Sequence, residues 1–135
     1  MRNFLIVTTR LVVFSAIISL FCSTLEAQSA REMRDIFAQA EAYFLYEEYE
    51  LANPLYLLLD DDTNFNIKYK IGVCYLNVPG EKEKAIPYLE EAIKHSTLDA
   101  KTNRLQETNA PLDAYFFLAK AYMVNNYLDK GLATL

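Results

Sequence analysis

The sequence predicts an all-α chain built from antiparallel helix hairpins. Three observations carry that prediction. Apolar residues recur at spacings of three and four from Met33 onward, the period of one helical face. Polar and turn-forming residues break this pattern at short intervals, at Glu47–Glu48, Asp60–Asn64, Asn77–Gly80 and Asn125–Asn126. With only 3 Gly and 4 Pro in 135 residues, the chain lacks the turn density of a β architecture.

Composition narrows the function classes. The chain is 53% hydrophobic and 23% charged, which suits one domain with its own core and excludes a disordered tail. Ten Tyr and 8 Phe with no Trp mean that single rings carry much of the burial. A formal net charge of −5 argues against a nucleic-acid partner. It argues equally against electrostatic binding to an anionic membrane surface.

Residues 1–27 read as a secretory signal peptide. Arg2 and Arg10 supply a positive start, Leu11 to Cys22 an apolar run, and small and polar residues follow. That run is short for a spanning helix. Cleavage is expected after Ala27, which removes two arginines and one glutamate and leaves a more acidic remainder. Lipidation at Cys22 is the alternative, disfavoured because Phe21 stands where a small residue is wanted; an uncleaved anchor is the third. Loss of Cys22 would leave Cys74 as a lone thiol with no disulfide framework, read as a small buried apolar residue between Val73 and Tyr75.

The domain is expected to span 28–135. Ala30 to Glu47 forms the first helix, capped by Ser29, with Met33, Ile36, Phe37, Ala40, Tyr43 and Phe44 inward. Tyr49 to Leu59 forms the second, and Asp60-Asp61-Asp62-Thr63-Asn64 ends it. Phe65 to Leu76 restarts the pattern with Ile67, Ile71, Cys74 and Tyr75 inward. Asn77-Val78-Pro79-Gly80 is a strong stop and turn. Glu81 to His95 follows, its acidic start and basic end matching the helix dipole. Ser96 to Asn109 is polar and reads as an insertion or linker. Pro111 is expected to open the next helix, with Leu112, Tyr115, Leu118, Ala119 and Tyr122 inward. Leu128 to Leu135 begins one more helix that the chain end cuts short.

An internal repeat organises these elements. Ala40, Gly72 and Ala119 occupy one small-residue position, each followed three residues later by Tyr43, Tyr75 and Tyr122. Ala52, Ala85 and Gly131 occupy a second such position. Ala40 to Gly72 is 32 positions; Gly72 to Ala119 is 47, lengthened by the polar insertion at 96–109. Small residues allow two helices to approach closely, and the tyrosines fill the space beside the contact. Gly72 inside a helix costs about 1 kcal/mol against Ala, which close approach would offset. Pro54 and Pro87 recur in the second helices. They imply either a tolerated bend or a helix that starts later than its pattern.

With these residues in hand, the chain from Met33 to Leu135 resembles the tetratricopeptide repeat (TPR) family. The best copy is KIGVCYLNVPGEKEKAIPYLEEAI. The resemblance implies a right-handed solenoid of about three helix pairs, the last truncated. FLYEEYELANPLYLLL and APLDAYFFLAKAYMVNNYLDKG further resemble the N-terminal TPR region of Bacteroidetes OmpA-family cell-envelope proteins (PorE-like). That implies an exported protein, periplasmic or associated with the outer membrane. No propeller or OmpA-like segment is present in the sequence, so peptidoglycan binding is not carried over. A fragment, a truncated product and an orphaned module all stay open.

By the same resemblance the first helix of each pair lines a concave groove. This assigns Phe37, Glu41 and Phe44 to it in the first copy, Tyr69, Lys70, Val73 and Asn77 in the second, and Phe116, Lys120 and Met123 in the third. Packing between repeats is the competing role for each ring.

Catalytic chemistry finds no constellation. His95 is the sole histidine, which excludes a His-based metal cluster, and its place at a helix end suits a dipole partner. The Asp60–Asp62 run lacks the Gly and late Glu of a calcium loop and reads as a solvated turn. Glu47-Glu48 and Glu90-Glu91 splay around their helices. No nucleophile elbow, P-loop or dinucleotide glycine pattern occurs.

The expected function is therefore a non-enzymatic protein–protein interaction scaffold of the bacterial cell envelope, with no cofactor, metal or catalytic residue. Its partner would be an envelope protein or peptide rather than nucleic acid. The membrane would be met only indirectly or through a lipid at Cys22. Self-association is expected through an apolar patch of Phe117, Leu118 and Leu132. A stand-alone TPR adaptor or chaperone-type peptide binder is the alternative, and a small envelope hydrolase is the disfavoured third.

Overall fold

The computed structural model describes residues 28–135; the leader, with its expected cleavage after Ala27 and the alternative lipid on Cys22, lies outside them. The chain divides into two compact units, Met1–Arg34 and Asp35–Leu135. Of the first, the described residues 28–34 are helical. The second carries the packed body of the fold.

The architecture is all-α, with three antiparallel hairpins in sequence. Helix α1 covers 28–45, so Ser29 lies within it and does not cap it. Along its length Phe37 and Ala40 are buried and Ile36, Tyr43 and Phe44 half-buried, whereas Met33 is exposed, against expectation. The chain turns at Glu47, whose φ of 59° is unusual for a residue with a Cβ. Helix α2 (Tyr49–Leu58) then returns with Ala52, Asn53 and Tyr56 buried.

The acidic run after α2 is a local turn. Asp61 Oδ1 accepts from the Thr63 amide (2.7 Å), the Thr63 hydroxyl (2.8 Å) and the Asn64 amide (2.8 Å). Desolvation works to raise the Asp61 pKa, but these bonds outweigh it and lower it. Asn64 caps helix α3 (Phe65–Asn77), its Oδ1 accepting from the Ile67 amide at 3.0 Å.

Helix α3 is the centre of the body, with 10 of its 13 residues buried. One face, with Ile67, Ile71 and Cys74, closes on Phe37, Ala40, Ala52 and Tyr56. The other face, with Tyr69, Val73 and Leu76, closes on Leu89, Ala114, Leu118 and Tyr122. Two cores thus share one helix. At Gly72 the approach to the next helix is so close that a Cβ would stand 2.5 Å from Leu89 Cγ.

Gly80, at φ 80°, makes the tight turn out of α3. The expected helix from Glu81 to His95 is α-helical only in its middle, as α4 (Ala85–Ala92), flanked by 3-10 turns at Lys82–Lys84 and Ile93–His95. Pro87 is therefore the third residue of α4, where a missing N–H costs little. Pro54 is the sixth residue of α2 and truly interior. One repeated proline has two different settings.

The polar insertion is anchored to the body. Strands β1 (Ser96–Thr97) and β2 (Ala110–Pro111) pair in parallel and close its two ends. The Thr108 carbonyl accepts from the Phe65 and Asn66 amides (2.8 and 3.2 Å), satisfying free N–H groups at the start of α3. Asn66 Nδ2 donates to the Thr102 carbonyl at 3.2 Å, and Leu105 packs on the first core. Inside the loop the Glu107 carboxylate accepts from the Asn109 and Lys101 amides, which lower its pKa.

Helix α5 (Asp113–Val124) begins two residues later than the sequence suggests, because Pro111 belongs to β2. Its inward side is Ala114, Leu118, Ala119, Ala121 and Tyr122; Leu112 and Tyr115, expected inward, are exposed. Asn126, at φ 66°, turns the chain into α6 (Leu128–Thr134). The last hairpin closes at Gly131, where a Cβ would meet Met123 Cγ at 2.7 Å and the Ala119 carbonyl oxygen at 3.1 Å.

Candidate interaction surfaces

Successive helices pack along the chain, and α5 also lies against α3. First helices are therefore neighbours, and the fate of a first-helix side chain depends on whether another helix follows it. The repeat alignment makes this visible at one position. Phe37 and Tyr69 are buried, Tyr69 in an edge-to-face contact with Phe117 at 5.8 Å. Phe116 occupies the same position in the third copy and is 57% exposed.

The residues assigned to a groove accordingly fall into two groups. Phe37, Tyr69, Lys70 and Val73 are buried within the body and present no open surface. Phe44 and Met123 are half-buried; Asn77, Phe116 and Lys120 are exposed. Asn77 Nδ2 donates to the Val73 carbonyl of its own helix at 2.8 Å. The structure does not gather these residues into one continuous trough. The repeat-packing positions Ala40, Ala52, Gly72, Ala85, Ala119 and Gly131 are all buried, with Tyr43 and Tyr75 half-buried and Tyr122 buried.

Glu41 and Lys70 form a polar group inside the first hairpin contact. Lys70 Nζ lies 3.0 Å from Glu41 Oε1 and 4.2 Å from the centre of the Phe44 ring. Tyr56 donates its hydroxyl to Glu41 Oε1 at 2.5 Å. Burial, the bond to Glu41 and the charge of Glu41 push the Tyr56 pKa far up. A second tyrosine–glutamate bond ties Tyr122 of α5 to Glu90 of α4; burial first, then Glu90, raises Tyr122 to about 12. These bonds hold elements together.

Two residues singled out for chemistry are placed in inert settings. Cys74 is fully buried; burial pushes its thiol up to about 12, with Lys70 opposing and Glu41 adding to the rise. His95 is exposed and lies on the Phe65 ring at 4.3 Å, a stacking role that its helix-end position did not suggest. Among the described residues no cluster of His, Cys, Asp and Glu could hold a metal, and no helix is long and apolar enough to cross a membrane.

Accessible surface features are concentrated at two places. The last hairpin exposes Phe116, Leu128 and Leu132. Of the three residues expected to form its apolar patch, Leu118 is buried and Phe117 is half-buried against Tyr69, leaving only Leu132. Periodicity assigns a face to the helix axis, but which face has a neighbour is a property of the whole stack. The second place lies across α2 and the end of α3. There two adjoining hollows of about 430 and 290 Å³ share Glu50.

The fold and these surfaces define a helix-hairpin repeat protein, a class built on stacked supersecondary units. No protein family, curated protein or solved structure matches the chain.

Proposed function

We propose that the chain is a non-enzymatic protein–protein interaction scaffold, exported to the bacterial cell envelope, whose last hairpin receives a helical partner. The observation that carries this reading is the contrast between Tyr69, covered by the following hairpin, and Phe116, its counterpart, which is 57% exposed. A helix lying on α5 as α5 lies on α3 would bury Phe116. Stacking of this kind is how repeat proteins extend and how they bind. The resemblance to TPR proteins of the envelope and the leader over 1–27 support the setting.

A second copy of the chain and a different protein are both suitable occupants. Sedimentation of the full chain, wild type and Phe116→Lys, separates them. Association that is lost in the variant identifies self-stacking. A wild-type monomer that captures an envelope protein through Phe116, but not through Lys at 116, identifies a separate partner. Equal behaviour of the two chains in both assays overturns the reading. Mass spectrometry of the mature N-terminus tests export, with Gln28 as the expected first residue. Hydrolytic activity that tracked with Glu90, Glu91 or His95 would favour the enzyme alternative.

A further inference from the structure

The hollows across α2 and α3 lie away from the exposed end of the last hairpin and are unlike it chemically. The smaller is lined by Glu50, Asn53, Leu57, Tyr75, Val78 and Glu81, among others. The larger adds Glu47, Glu48, Tyr49 and Leu51 around the same Glu50. The lining thus mixes apolar surface with carboxylates and contains no basic residue. Glu81 is paired with Lys84, but Glu47, Glu48 and Glu50 make no ion pair with another described residue.

An acidic cluster alone is an ordinary solvated face. Asn53 makes this one different. Its residue is only 8% exposed, it lines the smaller hollow, and its Oδ1 is enclosed without any hydrogen-bond donor. A buried acceptor left unpaired costs about 1–3 kcal/mol, so natural folds rarely leave one. A half-turn about the amide torsion exchanges Oδ1 with Nδ2, and an Asn side chain can then both accept and donate along a peptide backbone. Main-chain N–H groups of an extended segment are the donors that fit. Cationic side chains on that segment would meet Glu48 and Glu50, and its apolar residues Leu57, Tyr75 and Val78.

We propose that this groove binds an extended, Lys- or Arg-bearing peptide segment, with Asn53 taking its backbone and Glu50 its positive charge. The segment belongs to another protein, and its site is independent of the α5–α6 face. Glu50 lies at the point shared by both hollows, so it governs charge recognition. Asn53 governs backbone recognition.

A labelled seven-residue peptide of alternating Leu and Lys, and its counterpart with Glu for Lys, test this by fluorescence anisotropy with the full chain. The Lys peptide is expected to bind, more weakly at high salt, and the Glu peptide not at all. Glu50→Lys is expected to weaken binding by about tenfold or more. It alters an exposed side chain, so circular dichroism should be unchanged. Asn53→Ala is expected to weaken binding by several-fold without lowering the Tm, since it removes an unpaired acceptor. Equal binding of the two peptides, or binding unaffected by Glu50→Lys, overturns the proposal. So does an Asn53→Ala chain that stays folded and binds as wild type. Phe116→Lys serves as the control and is expected to leave peptide binding unchanged.

Discussion

Lys70 shows how a charged residue is kept inside this fold. Its side chain retains only 5% of its accessibility, against 22% for Glu41, so the two ends of the pair are unequally solvated. Removing the acid strands a buried cation; removing the base leaves a carboxylate that still reaches water and still accepts from Tyr56. The two truncations should therefore differ. Glu41→Ala is expected to cost about 3 kcal/mol or more, in the range for a buried pair broken from one side. Lys70→Met, which keeps the packing of the stem on Phe44, is expected to cost well under half of that. Urea denaturation measures both, and equal losses would show that the pair is solvated at each end. The sequence made Lys70 look like a groove residue because its charge suggested solvent. Its partner lies 29 positions away in another hairpin, and a one-dimensional reading has no means of pairing them.

At the scale of elements, the hairpin contact between α3 and α4 was legible because small residues recur at fixed positions, and Gly72 is the clearest case. A methyl group there would meet Leu89 Cγ at 2.5 Å and Cδ2 at 2.8 Å. Leu89 is fully buried, so its branch point has nowhere to go. Gly72→Ala gains about 1 kcal/mol of helix propensity. It meets an overpacking penalty of about 1–3 kcal/mol, and the penalty is expected to win. Chemical denaturation should show a net loss of about 1 kcal/mol. In the Gly72→Ala background Leu89→Ala should cost less than it does alone, because the two share one space. A stabilised single variant, or strictly additive losses, would remove the close-approach account. Other element boundaries were less legible. The helix expected from Glu81 to His95 splits because its ends tighten into 3-10 turns, which the same residues permit. Pro111 carries a strong helix-start preference but is held in β2 by pairing with Thr97. The insertion offered only Leu98 and Leu105 as sizeable apolar residues, yet Leu105 and the Thr108 carbonyl fix it to α3. Backbone tethers of this kind leave no mark in hydropathy.

For the molecule as a whole, α3 decides how the parts depend on one another. The repeat pattern suggests units that could unfold one after another. Here the two cores share α3, through Ile67, Ile71 and Cys74 on one side and Tyr69, Val73 and Leu76 on the other. Loss of α3 packing must therefore open both. Ionisable groups in each core provide a way to test this. Burial raises Cys74 from its ordinary 9.0 to about 12, and burial with the charge of Asp113 raises Tyr69 from 10.0 to about 12. Tyr122, also raised to about 12, belongs with Tyr69 in the second core. Each group is neutral when protonated, and the fold favours that form. The stability they contribute is complete below pH 9, where the unfolded thiol and phenols are still protonated. It is lost as pH rises through 10 toward 12, because the unfolded chain releases protons that the folded chain retains. Urea midpoints are thus expected to hold steady from pH 7 to pH 9 and to fall steadily above it. Because Cys74 and Tyr69 lie on opposite faces of one helix, tyrosinate absorbance, thiol reactivity and far-ultraviolet circular dichroism should change together in a single alkaline transition. Release of the Cys74 thiol well before the tyrosines ionise would mean that the first hairpin opens alone, and that α3 does not couple the two cores.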